Sequence, residues 1–161
     1  MSTVQTTKKI IGLKVLSIMM VSGLFFGCST ETTATPTEVM VYKSSTCPCC
    51  EGWMAHLQKE GFIVKYENRD DDMDKIKAAN GITEKLASCH TAKVGGYVIE
   101  GHVPAADVKR LLKEKPADVI GLTAPEMPMQ SPGMQAEGLP PKNYDVIAIK
   151  KDGSTEIYTH Y

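Results

Sequence analysis

The run Cys47-Pro48-Cys49-Cys50 puts three thiols within four residues, and a fourth stands at Cys89 with His90 directly behind it. Sulfurs in this pattern serve two chemistries. A Cys-x-x-Cys pair, here Cys47 and Cys50, cycles between dithiol and disulfide. Thiolates with a neighbouring imidazole also ligate soft and borderline metal ions. Thiolate is the working species in both, and a thiol at a helix start ionises more easily in the positive end of the macrodipole. Disulfide exchange needs only two sulfurs, which leaves Cys49 and Cys89 without a task. A tetrahedral zinc site from Cys47, Cys50, Cys89 and His90 would leave Cys49 idle, and two plain disulfides are the bland use of four such cysteines.

The elements that position these residues are legible from periodicity. Val39 to Lys43 is apolar and rich in β-branched and aromatic residues, which predicts a buried strand before the cysteines. From Cys49 to Glu60, Trp53, Met54 and Leu57 recur at helical spacing and read as core, with Gly61 as the stop. Phe62, Val64 and Tyr66 alternate as a second strand. Asp70 to Asp72 would cap a second helix, with Met73, Ile76 and Ala79 on its buried face and Asn80-Gly81 ending it. A brief helical turn follows over 83–88. Two strands, 91–94 and 97–100, flank the hairpin signal Gly95-Gly96. Pro104 opens a last helix with Val108, Leu111 and Leu112 on one side, closed by Pro116.

Residues 116–161 read as a C-terminal extension. Five prolines between Ala124 and Lys142 exclude regular helix or strand there, and Met127, Met129 and Met134 lie among them. Tyr144 to Ile149 and Thr155 to Tyr158, around Asp152-Gly153, predict a terminal hairpin.

The N-terminus has a different character. Lys8 and Lys9 precede a mostly apolar stretch that ends at Phe26, so residues 1–27 read as an export signal. Its uninterrupted part, Val15 to Phe26, is too short to span a bilayer as a permanent helix. Leu24-Phe25-Phe26-Gly27-Cys28 resembles a bacterial lipoprotein box, which implies lipidation of Cys28, although Phe25 and Phe26 depart from the usual residues. Ser29 in place of an aspartate implies the outer membrane. Residues 28–38, rich in Thr, read as a tether, and 39–161 as one domain. A net charge of −1 and no basic stripe exclude nucleic acid as a partner.

The order β-α-β-α-β-β-α, with Cys-x-x-Cys at the first strand-to-helix turn, resembles the minimal thioredoxin-like α/β fold, here carrying the Pro/Met-rich segment and the terminal hairpin. In that fold the third strand runs antiparallel beside the first, so Cys89-His90 would meet the cysteine turn. Thioredoxin relatives have a cis-proline there; this chain has Ser88-Cys89-His90. The fourth strand would bring His102 to the same pole, about 10 Å across.

More of the chain matches a narrower pattern. Val41-Tyr42-Lys43-Ser44 before the cysteine run, Trp53, His56 and Leu57, Ser88-Cys89-His90-Thr91-Ala92, Gly95 through Pro104, Met127-Pro128 and Ser131-Pro132-Gly133-Met134 together resemble the CopG-type copper-resistance proteins. These are periplasmic proteins long catalogued as a domain of unknown function, and the resemblance runs from about Val39 to Tyr161. It implies copper bound through Cys47, Cys49, Cys50 and Cys89 as a multi-copper cluster, and a role in copper resistance by sequestration or by copper redox conversion. His90, His102, Met127 and Met134 are the additional ligand candidates, while His56 on its helix reads equally as an outer neighbour of the metal or as a partly buried histidine with an ordinary hydrogen bond. Implied partners are copper ions, other periplasmic copper-handling proteins, and a membrane through the N-terminal lipid. Pro48 stands where glycine is common, and Met129-Gln130 departs from the usual residue-glycine pair. The chemistry agrees, since Cu(I) favours thiolate and thioether ligands. Adjacent Cys49 and Cys50 are poorly placed to share one tetrahedral ion and well placed to bridge two. A thiol-disulfide oxidoreductase using Cys47 and Cys50 stays open as the alternative.

Overall fold

Strand β1 (Glu38–Lys43) buries Val39, Val41 and Lys43 and leaves the alternate residues more open, so one face lies on the core. The computed structural model describes residues 36–161. The export signal, Cys28 and most of the tether lie outside the described residues. Helix α1 (Pro48–Lys59) starts at a proline, whose fixed φ suits the first helical position and which has no N–H to leave unpaired. Cys50, Trp53, Met54 and Leu57 form its buried face. The chain then turns through Gly61 into β2 (Ile63–Asn68), parallel to β1.

Helix α2 (Met73–Ala79) differs from expectation. Asp72 occupies the N-cap position without capping, because its carboxylate pairs with Arg69 instead. None of its residues is buried: Met73 and Ile76 are half-buried and Ala79 is exposed. Two turns cover little of a sheet, and the inward position is taken by Lys77, which makes an ion pair with Glu100. A 3-10 turn (Glu84–Leu86) leads to β3 (His90–Val94) and β4 (Tyr97–Gly101). Gly95 and Gly96 both have positive φ, the backbone that a two-residue hairpin turn requires. Helix α3 (Ala105–Glu114) closes through Lys115 in the left-handed region.

The remaining strands are β5 (Val119–Ala124), β6 (Asp145–Lys150) and β7 (Thr155–His160). All seven form one sheet in the order β2-β1-β3-β4-β5-β6-β7. β3 is antiparallel to β1 and to β4, the arrangement expected for the α/β order read from the sequence. The unexpected member is β5, which lies parallel to β4 and joins the terminal hairpin to the sheet. Gly121 interrupts its apolar run and hides it from pattern reading. The same glycine permits the pairing, since a Cβ there would stand 2.1 Å from the Val98 carbonyl oxygen. The core comprises Val41, Trp53, Leu57, Ile99, Leu111, Leu122 and Val146, among others. Each large apolar side chain so buried contributes about 1.5–3 kcal/mol. Among the described residues, no helix is long and apolar enough to cross a membrane.

The register gathers chemistry at one end of the sheet. Lys43, the last residue of β1, pairs with His90, the first of β3. Gly101, the last of β4, pairs with Ala124, the last of β5.

Candidate metal centre

The turn before α1 is held from outside the helix. Asp70 accepts hydrogen bonds from the Ser44 hydroxyl (2.7 Å) and the Ser45 N–H (2.8 Å), and Cys47 is the N-cap residue. These contacts aim Cys47, Cys49 and Cys50 toward the start of β3. The sulfurs of Cys47, Cys49, Cys50 and Cys89 all lie within 4.8 Å of one another. Cys47 and Cys50 are joined as a disulfide, while Cys49 and Cys89 are free thiols. Cys49 Sγ is 3.4 Å from Cys47 Sγ and 3.9 Å from Cys89 Sγ, and Cys50 Sγ is 3.5 Å from Cys89 Sγ. The sequence assigned these four to one place, and the fold brings them there.

Cys89 is fixed from behind. Glu100, wholly buried, accepts the Ser88 N–H at 2.7 Å on one oxygen and the Thr91 hydroxyl at 2.6 Å on the other, and Lys77 closes an ion pair with it at 2.5 Å. Burial raises the Glu100 pKa, while the Lys77 ammonium and these hydrogen bonds oppose it. One carboxylate thus ties α2, β3 and β4 together beside the fourth thiol. Burial, reinforced by Cys49, pushes the Cys89 pKa up to about 12. Metal binding there must displace a proton.

Strand spacing alone put His102 about 10 Å from the cysteines. Its Nε2 is instead 3.1 Å from Cys89 Sγ. Gly101, at φ +71°, ends β4 in a turn closed by the Val103 N–H on the Gly101 carbonyl, and this swings His102 back over the thiol. The Nδ1–H of His102 donates to the Pro132 carbonyl at 2.7 Å. That bond selects the tautomer and leaves the Nε2 lone pair facing Cys89.

His90 Nδ1 lies 3.3 Å from the same sulfur, and its ring packs 4.3 Å from that of Trp53. Cys89 S–H can donate to only one imidazole. With His102 Nε2 as that acceptor, His90 donates from Nδ1, and its buried Nε2 has no hydrogen-bond partner among the described residues. Desolvation lowers the pKa of both histidines, in His102 against the pull of Pro132. Both are therefore neutral near pH 7, the form that binds metals.

The other sequence candidates separate. His56 Nε2 accepts the Ala105 N–H at 3.1 Å and so caps α3 instead of reaching the cysteines. His160 pairs with Asp145 on the terminal hairpin. Trp53 is core, as expected, and donates its N–H to the Val103 carbonyl at 2.8 Å. Met127 follows Glu126, which bridges to Ser88, and is about half exposed at 49%. Met134 is half-buried beside Gly133.

The Pro/Met-rich segment is seated as a flap. Gly133 has a positive φ, and a Cβ there would stand 2.4 Å from the Trp53 nitrogen and 2.9 Å from the Cys49 carbonyl oxygen. A Cβ at Gly52 would in turn stand 2.9 Å from the Gly133 Cα and carbonyl oxygen. Backbone meets backbone next to Cys49, which delivers the Pro132 carbonyl to His102. Glu100, Lys77 and Pro132 were not found from the sequence. The available signal was Glu100 itself, a carboxylate inside the apolar run Tyr97-Val98-Ile99-Glu100.

Fold and site define a mixed α/β protein with a cluster of soft sulfur and neutral imidazole donors, able to hold metal, at one end of a seven-stranded sheet. A family model described as a protein of unknown function, DUF411, matches residues 86–134, which carry Cys89, His90, His102 and the flap. Two solved structures, copper resistance protein CopG in Form 1 and Form 2, each match at 34% identity and a TM-score of 0.71. They cover 79% of this chain, and 98% (Form 1) and 99% (Form 2) of their own length. The chain belongs to the CopG-type copper resistance family. No curated protein matches it.

Proposed function

We propose that the protein binds Cu(I) through Cys47, Cys49, Cys50 and Cys89 as a multi-copper thiolate site and acts in copper resistance, by sequestration or by copper redox conversion. His102 and His90 complete or tune the site, with Met127 and Met134 as outer thioether donors. The chain is exported by residues 1–27, anchored to the outer membrane through a lipid on Cys28, and held off it by the tether to residue 38. Its partners are copper ions and the periplasmic proteins that deliver or receive them.

The observation that carries this reading is the convergence of four sulfurs within 4.8 Å, where disulfide exchange would need two. Soft thiolates suit Cu(I), and adjacent Cys49 and Cys50 suit bridging more than one ion. Anaerobic Cu(I) titration of the fully reduced chain tests it, and more than one tightly held copper per chain is the expected result. No tight copper, together with catalysed reduction of a model disulfide, would overturn it.

That second outcome belongs to the alternative, a thiol-disulfide oxidoreductase. The closed Cys47–Cys50 bridge at a helix N-terminus favours it. Replacing Cys89 separates the two, because simple exchange does not need that thiol.

A further inference from the structure

The disulfide and the metal donors occupy the same few ångströms, and the bridge takes only two of the four sulfurs. Closing Cys47–Cys50 removes two sulfurs from any metal site and leaves Cys49, Cys89 and His102 intact. The free sulfurs stand 3.9 Å apart. Two thiolates sharing one trigonal metal are separated by about 4 Å when each metal–sulfur bond is about 2.3 Å. The third donor is His102 Nε2, whose lone pair is held toward Cys89 by the Pro132 carbonyl. The oxidised site therefore still presents two soft sulfurs and a neutral imidazole, a set suited to a single Cu(I).

We propose that Cys47 and Cys50 are an electron source and that Cys49, Cys89 and His102 are the trap that keeps the product. This rests on the copper-binding reading above. In the step, the two thiols Cys47 and Cys50 lose two protons to water and two electrons to two Cu(II) ions. One S–S bond forms, and two Cu(I) ions result. One stays on the three remaining donors and the other leaves. Renewal requires an external dithiol, which would attack Cys47. That sulfur is the accessible one, since Cys50 is fully buried. The division explains why four thiols are kept where a dithiol reductant needs two and a single trigonal site needs two.

The test uses the full chain carrying Cys28→Ser, so that the fifth cysteine does not enter the count. Fully reduced, metal-free protein is mixed anaerobically with excess Cu(II) sulfate. Cu(I) is assayed with a chromogenic chelator, free thiols are counted, and disulfide-linked peptides are mapped. The expected result is two Cu(I) formed per chain, thiols falling from four to two, a Cys47–Cys50 bridge, and one Cu(I) retained after desalting. Protein oxidised beforehand to the Cys47–Cys50 disulfide should likewise take up one Cu(I), and His102→Gln should hold it at least tenfold more weakly. A bridge that includes Cys49 or Cys89, no Cu(I) formed, or no Cu(I) retained by the oxidised wild-type chain would overturn the proposal. The arms keep the two readings apart. If the reduced chain binds several Cu(I) while Cu(II) is not reduced, the cluster stands and the electron source fails. If the reduced chain binds no Cu(I), both fail.

Discussion

Two buried carboxylates, Glu100 and Asp107, are built from the same parts to different ends. Glu100 accepts a backbone N–H and a threonine hydroxyl and pairs with Lys77. Asp107 accepts the Thr159 and Tyr161 hydroxyls, at 2.6 and 2.7 Å, and pairs with Arg110. Near Asp107 the partners belong to the last strand and the final residue, where Tyr161 also stacks on Tyr144 at 5.3 Å. That network fastens the C-terminal hairpin to α3. Near Glu100 the bonded N–H belongs to Ser88, one residue before the fourth thiol. A buried ion pair is weak evidence for net stability. The comparison shows that its worth depends on what the bonded backbone carries.

The largest expected effect falls on the site itself. Cys89→Ser should reduce Cu(I) loading from several ions per chain to one at most, read by anaerobic titration, with the far-UV circular dichroism unchanged. Next come the two carboxylates, which make the comparison quantitative. Removing one partner of a buried pair costs about 3–5 kcal/mol, so Glu100→Ala, which strands Lys77, should lower denaturant stability by about that much, and Asp107→Ala, whose partner Arg110 is exposed, by less. Only Glu100→Ala should also weaken copper retention, by about tenfold or more, equivalent to about 1.4 kcal/mol. Glu100→Gln keeps an acceptor for the Ser88 N–H and should recover retention more fully than stability. Equal copper loss in the Asp107 variant would erase the distinction.

Gly133→Val should have a smaller effect, confined to the flap. A side chain at this positive φ strains the backbone by about 1–3 kcal/mol and collides with α1. Copper should dissociate faster as His102 loses the Pro132 carbonyl, which stopped-flow chelation would measure.

The pH response of the metal-free protein should be gentler still. Burial lowers the pKa values of His56, His90 and His102 in the folded state. The unfolded chain therefore binds more protons once pH falls below the ordinary imidazole value of about 6.5. Stability is complete above that value and is lost as pH falls below it, so Tm should decline between pH 7 and pH 5. A flat profile would contradict the burial of these rings. Smallest of all, Lys59→Ala breaks the exposed pair with Glu137 and should leave both stability and copper binding unchanged.

How far the sequence could be read follows from where its signals are local. Val39 and Val41, the Trp53-Met54-Leu57 spacing and Gly95-Gly96 each announce an element within a few residues, and all are found where expected. The convergence of Cys89 on the cysteine turn followed from strand order, because antiparallel pairing of β1 and β3 leaves no other place for the start of β3. What escaped was tertiary. Gly121 looks like a break in a strand until the close approach of Val98 is known. Lys77 looks like a solvated helix residue until Glu100 is found beneath it, and that pairing also defeated the expected buried face of α2. The place of His102 is not legible from strand spacing, because the left-handed Gly101 turns the chain at the end of β4.

Cys49 and Cys89 are 40 positions apart in the chain and 3.9 Å apart in space. An ion bridging them would hold that stretch as a closed ring even when the rest unravels. By the chain-entropy model, a ring of such length strips about 4 kcal/mol of freedom from the denatured chain. Loaded molecules would then reopen seldom and resist proteolysis, while empty ones would be cleared sooner. Metal status would be translated into molecular lifetime without any separate sensor.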